Sequence, residues 1–187
     1  MNNERRINVR RMVMLRQPPD RVWTALRDYL PAVAQHVEGI EEIRLLERSR
    51  ANGLIKTVHE WRAAPSVAHA LRGRIDGDQL TWLERAEWHD GALESRWSVE
   101  SRMLGGGLVG SGITRVHGAM GGRGCRLQLE IATSIAPGTL GPLGEGRWKT
   151  GLEDAAATLL AKTLQDLGAA VDRFLASGDT RNSARRG

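Results

Sequence analysis

Residues 18–48 read PPDRVWTALRDYLPAVAQHVEGIEEIRLLER, and the order of elements in this stretch decides the architecture. Pro18-Pro19-Asp20 ends one element and opens a helix, because proline fits the first helical turn and a carboxylate there favours the positive end of the helix dipole. Val22, Trp23 and Leu26 recur at helical spacing and give that helix a buried side. A second short helix is expected from Pro31 to about Val37, where Glu38-Gly39 stops it. From Ile40 onward the period changes from helical to alternating, so two short helices lead directly into extended chain.

Upstream, Ile7 to Leu15 reads as a strand with Ile7, Val9, Val13 and Leu15 on one face and Asn8, Arg10, Met12 and Met14 on the other. Arg11 breaks the apolar face; it either meets a ligand carboxylate or is turned outward by a bulge. Downstream, Ile40 to Ile135 alternates in runs of roughly seven to ten residues, punctuated by turns, which is the pattern of an antiparallel meander. The turn signals are Asn52-Gly53, Ala64-Pro65-Ser66, Asp76-Gly77, Asp90-Gly91, the loop Gly105 to Gly112, and Gly121-Gly122.

Each turn implies a register, and a register decides which side chains share a face. A two-residue turn at Asp76-Gly77 sets Leu71 opposite Trp82 and His69 opposite Glu84. One at Asp90-Gly91 sets Trp88 opposite Leu93, Glu84 opposite Trp97 and Trp82 opposite Val99. The apolar sets (Val67, Leu71, Ile75; Leu80, Trp82, Ala86, Trp88; Leu93, Trp97, Val99, Met103) then share one side, while Arg85, Glu87, Glu94, Arg96 and Glu100 lie on the solvated reverse. Pairing Met120 with Arg123 aligns Thr114 and Val116 with Leu129 and Leu127. At Asn52-Gly53 the implied register puts Arg44 and Arg48 beside Thr57 and Trp61, which requires either a bulge or an edge strand.

Beyond Pro137 and Pro142 the period becomes helical, with Trp148, Leu152, Leu159, Leu160, Leu164, Leu167, Val171 and Phe174 among the recurring apolar positions. A helix from about Arg147 to Ala176 is ~45 Å long at 1.5 Å per residue, enough to cross a sheet. Gly168 within it marks a kink or a close approach. Residues 1–177 are expected to form one domain, followed by a polar, disordered tail over 178–187.

The chain has 187 residues, a net charge of +5 and a single cysteine, Cys125. An intramolecular disulfide and a thiolate metal cluster are therefore excluded. The positive charge comes almost entirely from arginines scattered along the chain, with no basic stripe interleaved with aromatics, so DNA is not an expected partner. MNNERRINVRR has no apolar signal core and no apolar run approaches the ~20 residues of a bilayer span, which makes a cytoplasmic protein the default expectation. Tryptophan supplies most of the aromatic content, so indoles fill the core, line a pocket, or do both.

Strand, two short helices, meander and one long helix is the element order of the helix-grip fold. The stretch 18–48 resembles the opening of the superfamily that includes Bet v 1, START lipid-transfer proteins, polyketide cyclases and the coenzyme Q-binding Coq10 proteins (the SRPBCC or START-like superfamily), with Pro19, Val22, Trp23, Gly39 and Ile40 at matching positions. It departs from plant Bet v 1 proteins, whose glycine-rich loop joins the second and third strands where only Asn52-Gly53 stands here. The resemblance implies an α+β fold, a curved antiparallel sheet of seven or eight strands gripping a long C-terminal helix, with a cavity that takes a lipid, a polyketide-like molecule or an isoprenoid. Two alternatives come with it: a polyketide cyclase or aromatase using the same cavity, and a Coq10-like module that associates with ribosomes or membranes.

The expected lining is Trp82, Trp97, Val99, Leu127, Leu129, Leu160 and Leu164, which otherwise simply fill the core. Three polar side chains fall on the same face: His59, His69 and Glu84. They form a hydrogen-bonded core trio, hold a polar ligand head, or act in proton transfer or metal binding; no nucleophile–base motif requires catalysis, and no cofactor or metal is expected. Gly105 to Gly110 matches G-x-G-x-x-G, but Ile113 to Met120 reads as a strand where a dinucleotide site needs a helix. Cys125 alternates with Leu127 and Leu129 and reads as a small buried hydrophobe rather than a nucleophile.

Overall fold

The computed structural model describes residues 7–66, 80–101, 108–135, 162–163 and 165–178. Its elements follow the expected order: β1 (Ile7–Leu15), α1 (Pro19–Asp28), α2 (Leu30–Ala34), β2 (Ile40–Ala51), β3 (Leu54–Ala63), β4 (Thr81–His89), β5 (Glu94–Ser101), β6 (Leu108–Ala119) and β7 (Gly124–Ile135). Residues 162, 163 and 165–177 are helical and are called α3. The seven strands form one sheet in the order β1-β7-β6-β5-β4-β3-β2, with every neighbouring pair antiparallel. Among the described residues no helix is long and apolar enough to cross a membrane.

Pro18 precedes a helix with Pro19 at its start and Asp20 in its first turn, and Val22, Trp23, Ala25 and Leu26 are its buried residues. α2 is shorter than expected, beginning at Leu30 and ending at Ala34. Val37 still packs into the core, because three successive i→i−3 bonds from Gln35, His36 and Val37 continue the chain as a tight turn. Gly39, with φ of 84°, then makes the exit into β2.

At the Asn52-Gly53 hairpin both outcomes left open by the sequence occur together. β2 is an edge strand, and its register shifts between Ile40 and Glu42 and again between Leu45 and Glu47. Arg48 stays opposite Thr57, but after the shift Ile43 rather than Arg44 meets Trp61. The bulge thereby restores an apolar residue to the buried end of a strand whose outer half is charged. Asn52 and Gly53 have φ of 52° and 75°, as a type I′ turn requires. A Cβ on Gly53 meets nothing within 4 Å, so the cost of Gly53→Ala is conformational alone. We expect a loss of about 1 kcal/mol by urea denaturation; an unchanged midpoint would mean that the edge hairpin adjusts freely.

Two expected registers are corrected. The strand expected around Val67–Ile75 and its turn at Asp76-Gly77 lie outside the described residues, and β3 pairs directly with β4. His59 stands opposite Glu84 and Trp61 opposite Trp82, the places expected for His69 and Leu71. β5 occupies the other flank of β4, so no strand intervenes. Ala63 N–H donates to the Leu80 carbonyl at 2.9 Å, closing the β3–β4 ladder at the connection.

The second correction lies at Asp90-Gly91. The β4–β5 connection is a 3-10 turn, Asp90–Ala92, followed by Leu93 in the left-handed region at φ of 46°. Four residues instead of two separate the strands, so Glu84 faces Val99, Ala86 faces Trp97, and Trp88 faces Ser95. The shift is even, which leaves the inward set inward. Its cause is tertiary: Asp90 Oδ1 accepts from Trp23 Nε1 at 2.8 Å and from Arg27, and Leu93 packs against the core. Arg27 also pairs with Asp28, which in turn holds Arg48 at 2.6 Å, so α1, β2 and the β4–β5 turn meet in one ionic knot.

At the β6–β7 turn the alignment of Thr114 with Leu129 and Val116 with Leu127 is as expected. α3 lies against the sheet and both short helices. Leu167, Ala170, Val171, Phe174 and Leu175 are buried in the core cluster, Phe174 packs on Tyr29 with centroids 5.9 Å apart, and Arg173 Nη2 donates to the His36 carbonyl at 2.7 Å. Gly168 marks a close approach: a Cβ there stands 2.9 Å from Val13 Cγ1. The amino-terminal half of the expected long helix, with Trp148 and Leu160, lies outside the described residues.

Candidate ligand-binding site

Alternation along the strands aims Thr57, His59 and Trp61 of β3, Trp82, Glu84, Ala86 and Trp88 of β4, and Ser95, Trp97 and Val99 of β5 at the helices. An indole buried there must place its N–H, since an unmet buried donor costs about 1–3 kcal/mol. Three do so diagonally across strands: Trp88 Nε1 donates to Thr57 Oγ1 at 2.9 Å, Trp97 Nε1 to Thr114 Oγ1 at 3.0 Å, and Trp61 Nε1 to Glu84 Oε2 at 2.8 Å. Trp23 meets Trp88 edge-on with centroids 5.2 Å apart, and Trp61 stacks on Trp82 at 5.8 Å. The rings are therefore held by specific acceptors as well as by packing.

Between these rings and the helices lies a cavity of about 50 Å³. Leu26 and Leu30 close it from the short helices, Thr163 and Leu167 from α3, Thr114, Leu127 and Leu129 from β6 and β7, and Trp61, Trp82, Glu84, Trp88, Ser95, Trp97 and Val99 from the central strands. Of the residues expected at the site, Trp82, Trp97, Val99, Leu127 and Leu129 of the lining and Glu84 of the polar trio surround this space. His59 stands one strand farther out, opposite Glu84. His69, Leu160 and Leu164 lie outside the described residues. Trp61, Trp88 and Ser95 also line the space, and their inward alternation is the signal in the sequence that points to them; Leu26 and Leu30 carry no signal beyond their place on the helices.

Among the described residues Glu84 is the one acidic group in the wall, 9% exposed, and His59 behind it is 1% exposed. Burial pushes the Glu84 carboxyl up to about 7, against the opposing pull of the Trp61 N–H. Burial, helped by the positive charge of Arg48, lowers His59 to about 4. Their nearest approach, Nδ1 to Oε2, is 3.6 Å, too long for a hydrogen bond, and His59 Nδ1 has no partner. The pair is thus a neutral imidazole beside a carboxyl that ionises near neutrality, rather than an ion pair. Ser95 Oγ, in the cavity wall, is likewise buried without a partner. Among the described residues no group of three or more His, Cys, Asp or Glu side chains is placed to hold a metal ion.

No family model and no curated protein matches the sequence; the likeness is in the coordinates. TTHA0849 of Thermus thermophilus superimposes over 92% of this chain and 99% of its own, with a TM-score of 0.65 and 18% identity. The Zhui aromatase/cyclase of a Streptomyces species matches over 91% and 94%, with a TM-score of 0.66 and 17% identity. Ara h 8.0201 matches over 92% and 99%, with a TM-score of 0.64 and 14% identity. The chain has the helix-grip fold. In this helix grip Leu108, Val109 and Gly110 lie within β6, a strand, so the match of the 105–110 run to a dinucleotide fingerprint is followed by no helix to serve it. Cys125 is fully buried and its thiol is pushed up to about 11, first by burial and then by Asp172, which leaves it packing as a hydrophobe. Arg11 holds the inward register opposite Leu129 without a bulge in β1, yet its side chain is exposed and donates to the Arg10 carbonyl.

Proposed function

We propose that this chain binds a hydrophobic small molecule between the inner face of its sheet and α3. The observation that carries the reading is the wall itself: an apolar space ringed by four indoles, into which a desolvated carboxyl and an unpartnered serine hydroxyl are built. A core that only needs filling has no use for such groups, each of which costs free energy when buried unpaired. At about 50 Å³ the space is far below the ~300–1,000 Å³ of a pocket for a drug-sized ligand. A ligand therefore enters by displacing side chains, and Trp82 and Val99, the partly exposed members of the wall, are the ones free to yield.

The measurement is intrinsic tryptophan emission during titration with a hydrophobic fluorophore, together with native mass spectrometry of freshly purified protein. Saturable quenching, or a co-purified small molecule, is expected. A protein that stays empty by mass and refuses every apolar probe would sink the reading.

A second reading, an enzyme of the aromatase or cyclase kind, draws on one specific pair. A carboxylic acid beside an imidazole base, both shielded from water, can move a proton in either direction. Zhui, named an aromatase/cyclase, shares the fold but only 17% of its residues, so this reading rests on His59 and Glu84 alone.

A further inference from the structure

The polar chemistry of the wall narrows what the cavity accepts. Trp61, Trp82, Trp88 and Trp97 present indoles, the aromatic side chain that attracts cations most strongly, and Glu84 stands among them. No lysine or arginine lines the cavity among the described residues. On β2, Arg48 is held by Asp28. On β3, His59 is the facing titratable group, and its Nδ1 is a free acceptor. β5 contributes Ser95, Trp97 and Val99 to the wall, without charge. On α3, Lys162 is exposed beside Glu38 and Asp166. Among the described residues Glu84 is thus a desolvated carboxyl with one indole hydrogen bond and no paired cation, and a buried carboxylate is stabilised above all by a paired cation.

We propose that the cavity takes a hydrophobic cation, an amine or quaternary ammonium whose charge sits against the Glu84 carboxylate among the indoles while its apolar part runs along Leu127 and Leu129. This rests on the reading of the cavity as a binding site. An anionic head group is rejected, because it would meet Glu84 with no cation among the described residues of the wall to offset it. A fixed positive charge requires the ionised carboxylate, so its binding expels the proton that Glu84 carries below about pH 7.

The test is calorimetric titration of the full chain with hexyltrimethylammonium, 1-octanol and octanoate at pH 5.5, 6.5 and 8. At pH 8 the ammonium binds at least tenfold tighter than the alcohol, and octanoate binds weakest. Below pH 7 the ammonium loses about tenfold in affinity per pH unit, with proton release visible as a dependence of the heat on the buffer. The alcohol shows no such trend. Glu84→Gln removes both the preference for the cation and its pH dependence while keeping the alcohol bound, which separates loss of the charge from loss of the cavity. Alcohol binding equal to or tighter than ammonium binding in the wild type overturns the cation assignment and leaves the cavity standing. If none of the three binds, the assignment and the binding function fall together.

Discussion

Replacing Glu84 with glutamine is expected to raise the stability of the unliganded protein by about 3 kcal/mol at pH 8 and to change it by less than about 1 kcal/mol near pH 4.5. The amide keeps the shape and the oxygen that accepts from Trp61 Nε1, but it does not ionise. In the wild type the Glu84 carboxyl titrates near 7 in the folded chain and near 4.5 when unfolded. A folded value above the unfolded one means that stability is fully present below pH 4.5 and is lost as pH rises to 7. His59 works in the opposite direction: about 4 folded against 6.5 unfolded, so its contribution is present above pH 6.5 and is lost as pH falls toward 4.

Between pH 4.5 and 6.5 the two nearly cancel, because unfolding moves one proton from the carboxyl to the imidazole without taking one from solution. This pair therefore gives the wild type a flat profile, and Glu84→Gln exposes the histidine slope, with stability climbing by about 3 kcal/mol from pH 4 to 6.5. Urea denaturation of both proteins at pH 4.5, 6 and 8 reads it directly. A variant no more stable than wild type at pH 8 would show that Glu84 already has a counter-charge in the fold.

The second large effect is steric. Gly112→Ala is expected to cost about 3 kcal/mol or more, at the upper end of what overpacking does. Gly112 pairs with Trp97 on one side and Ile131 on the other. A Cβ there overlaps the Trp97 indole and the backbone carbonyl of Glu130. Neither obstacle yields easily, since Glu130 is in a central strand and the indole is held by its bond to Thr114. The second-site change Trp97→Leu should recover part of the loss in Gly112→Ala, a coupling that separates ring overlap from a general weakening of β6. Midpoints in urea measure it; Gly112→Ala within 0.5 kcal/mol of wild type would mean that the ring can move aside unaided.

How far the sequence carries depends on whether the deciding interaction is local. The alignment of Thr114 and Val116 with Leu129 and Leu127 is legible in the sequence because one short turn and simple alternation determine that register. The β4–β5 register was off by two because a leucine in the left-handed region has no sequence signature; Asp90 and Leu93 take their places from Trp23, Arg27 and the core. His69 was set opposite Glu84 because Ala64-Pro65-Ser66 and Asp76-Gly77 read as two ordinary hairpin turns, whereas β3 pairs with β4 itself. The inward face survived these errors because side-chain direction has a period of two and the slip was even. The hydroxyl partners of the indoles were not legible, since a diagonal cross-strand bond depends on the register.

Because β1 pairs with β7, Leu15 lies opposite Cys125 although about 110 residues separate them along the chain. Hairpins such as β2–β3 and β6–β7 close short loops and can form early, while the outermost ladder must wait until β7, beginning at Gly124, has been made. Long loops are entropically expensive to close, and chains rich in such pairings fold on timescales of milliseconds to seconds. Val13, pressed against Gly168, ties the terminal helix to that late ladder. During synthesis the apolar face of β1 thus stays uncovered until β7 and α3 have been made, an interval in which exposed apolar surface favours aggregation.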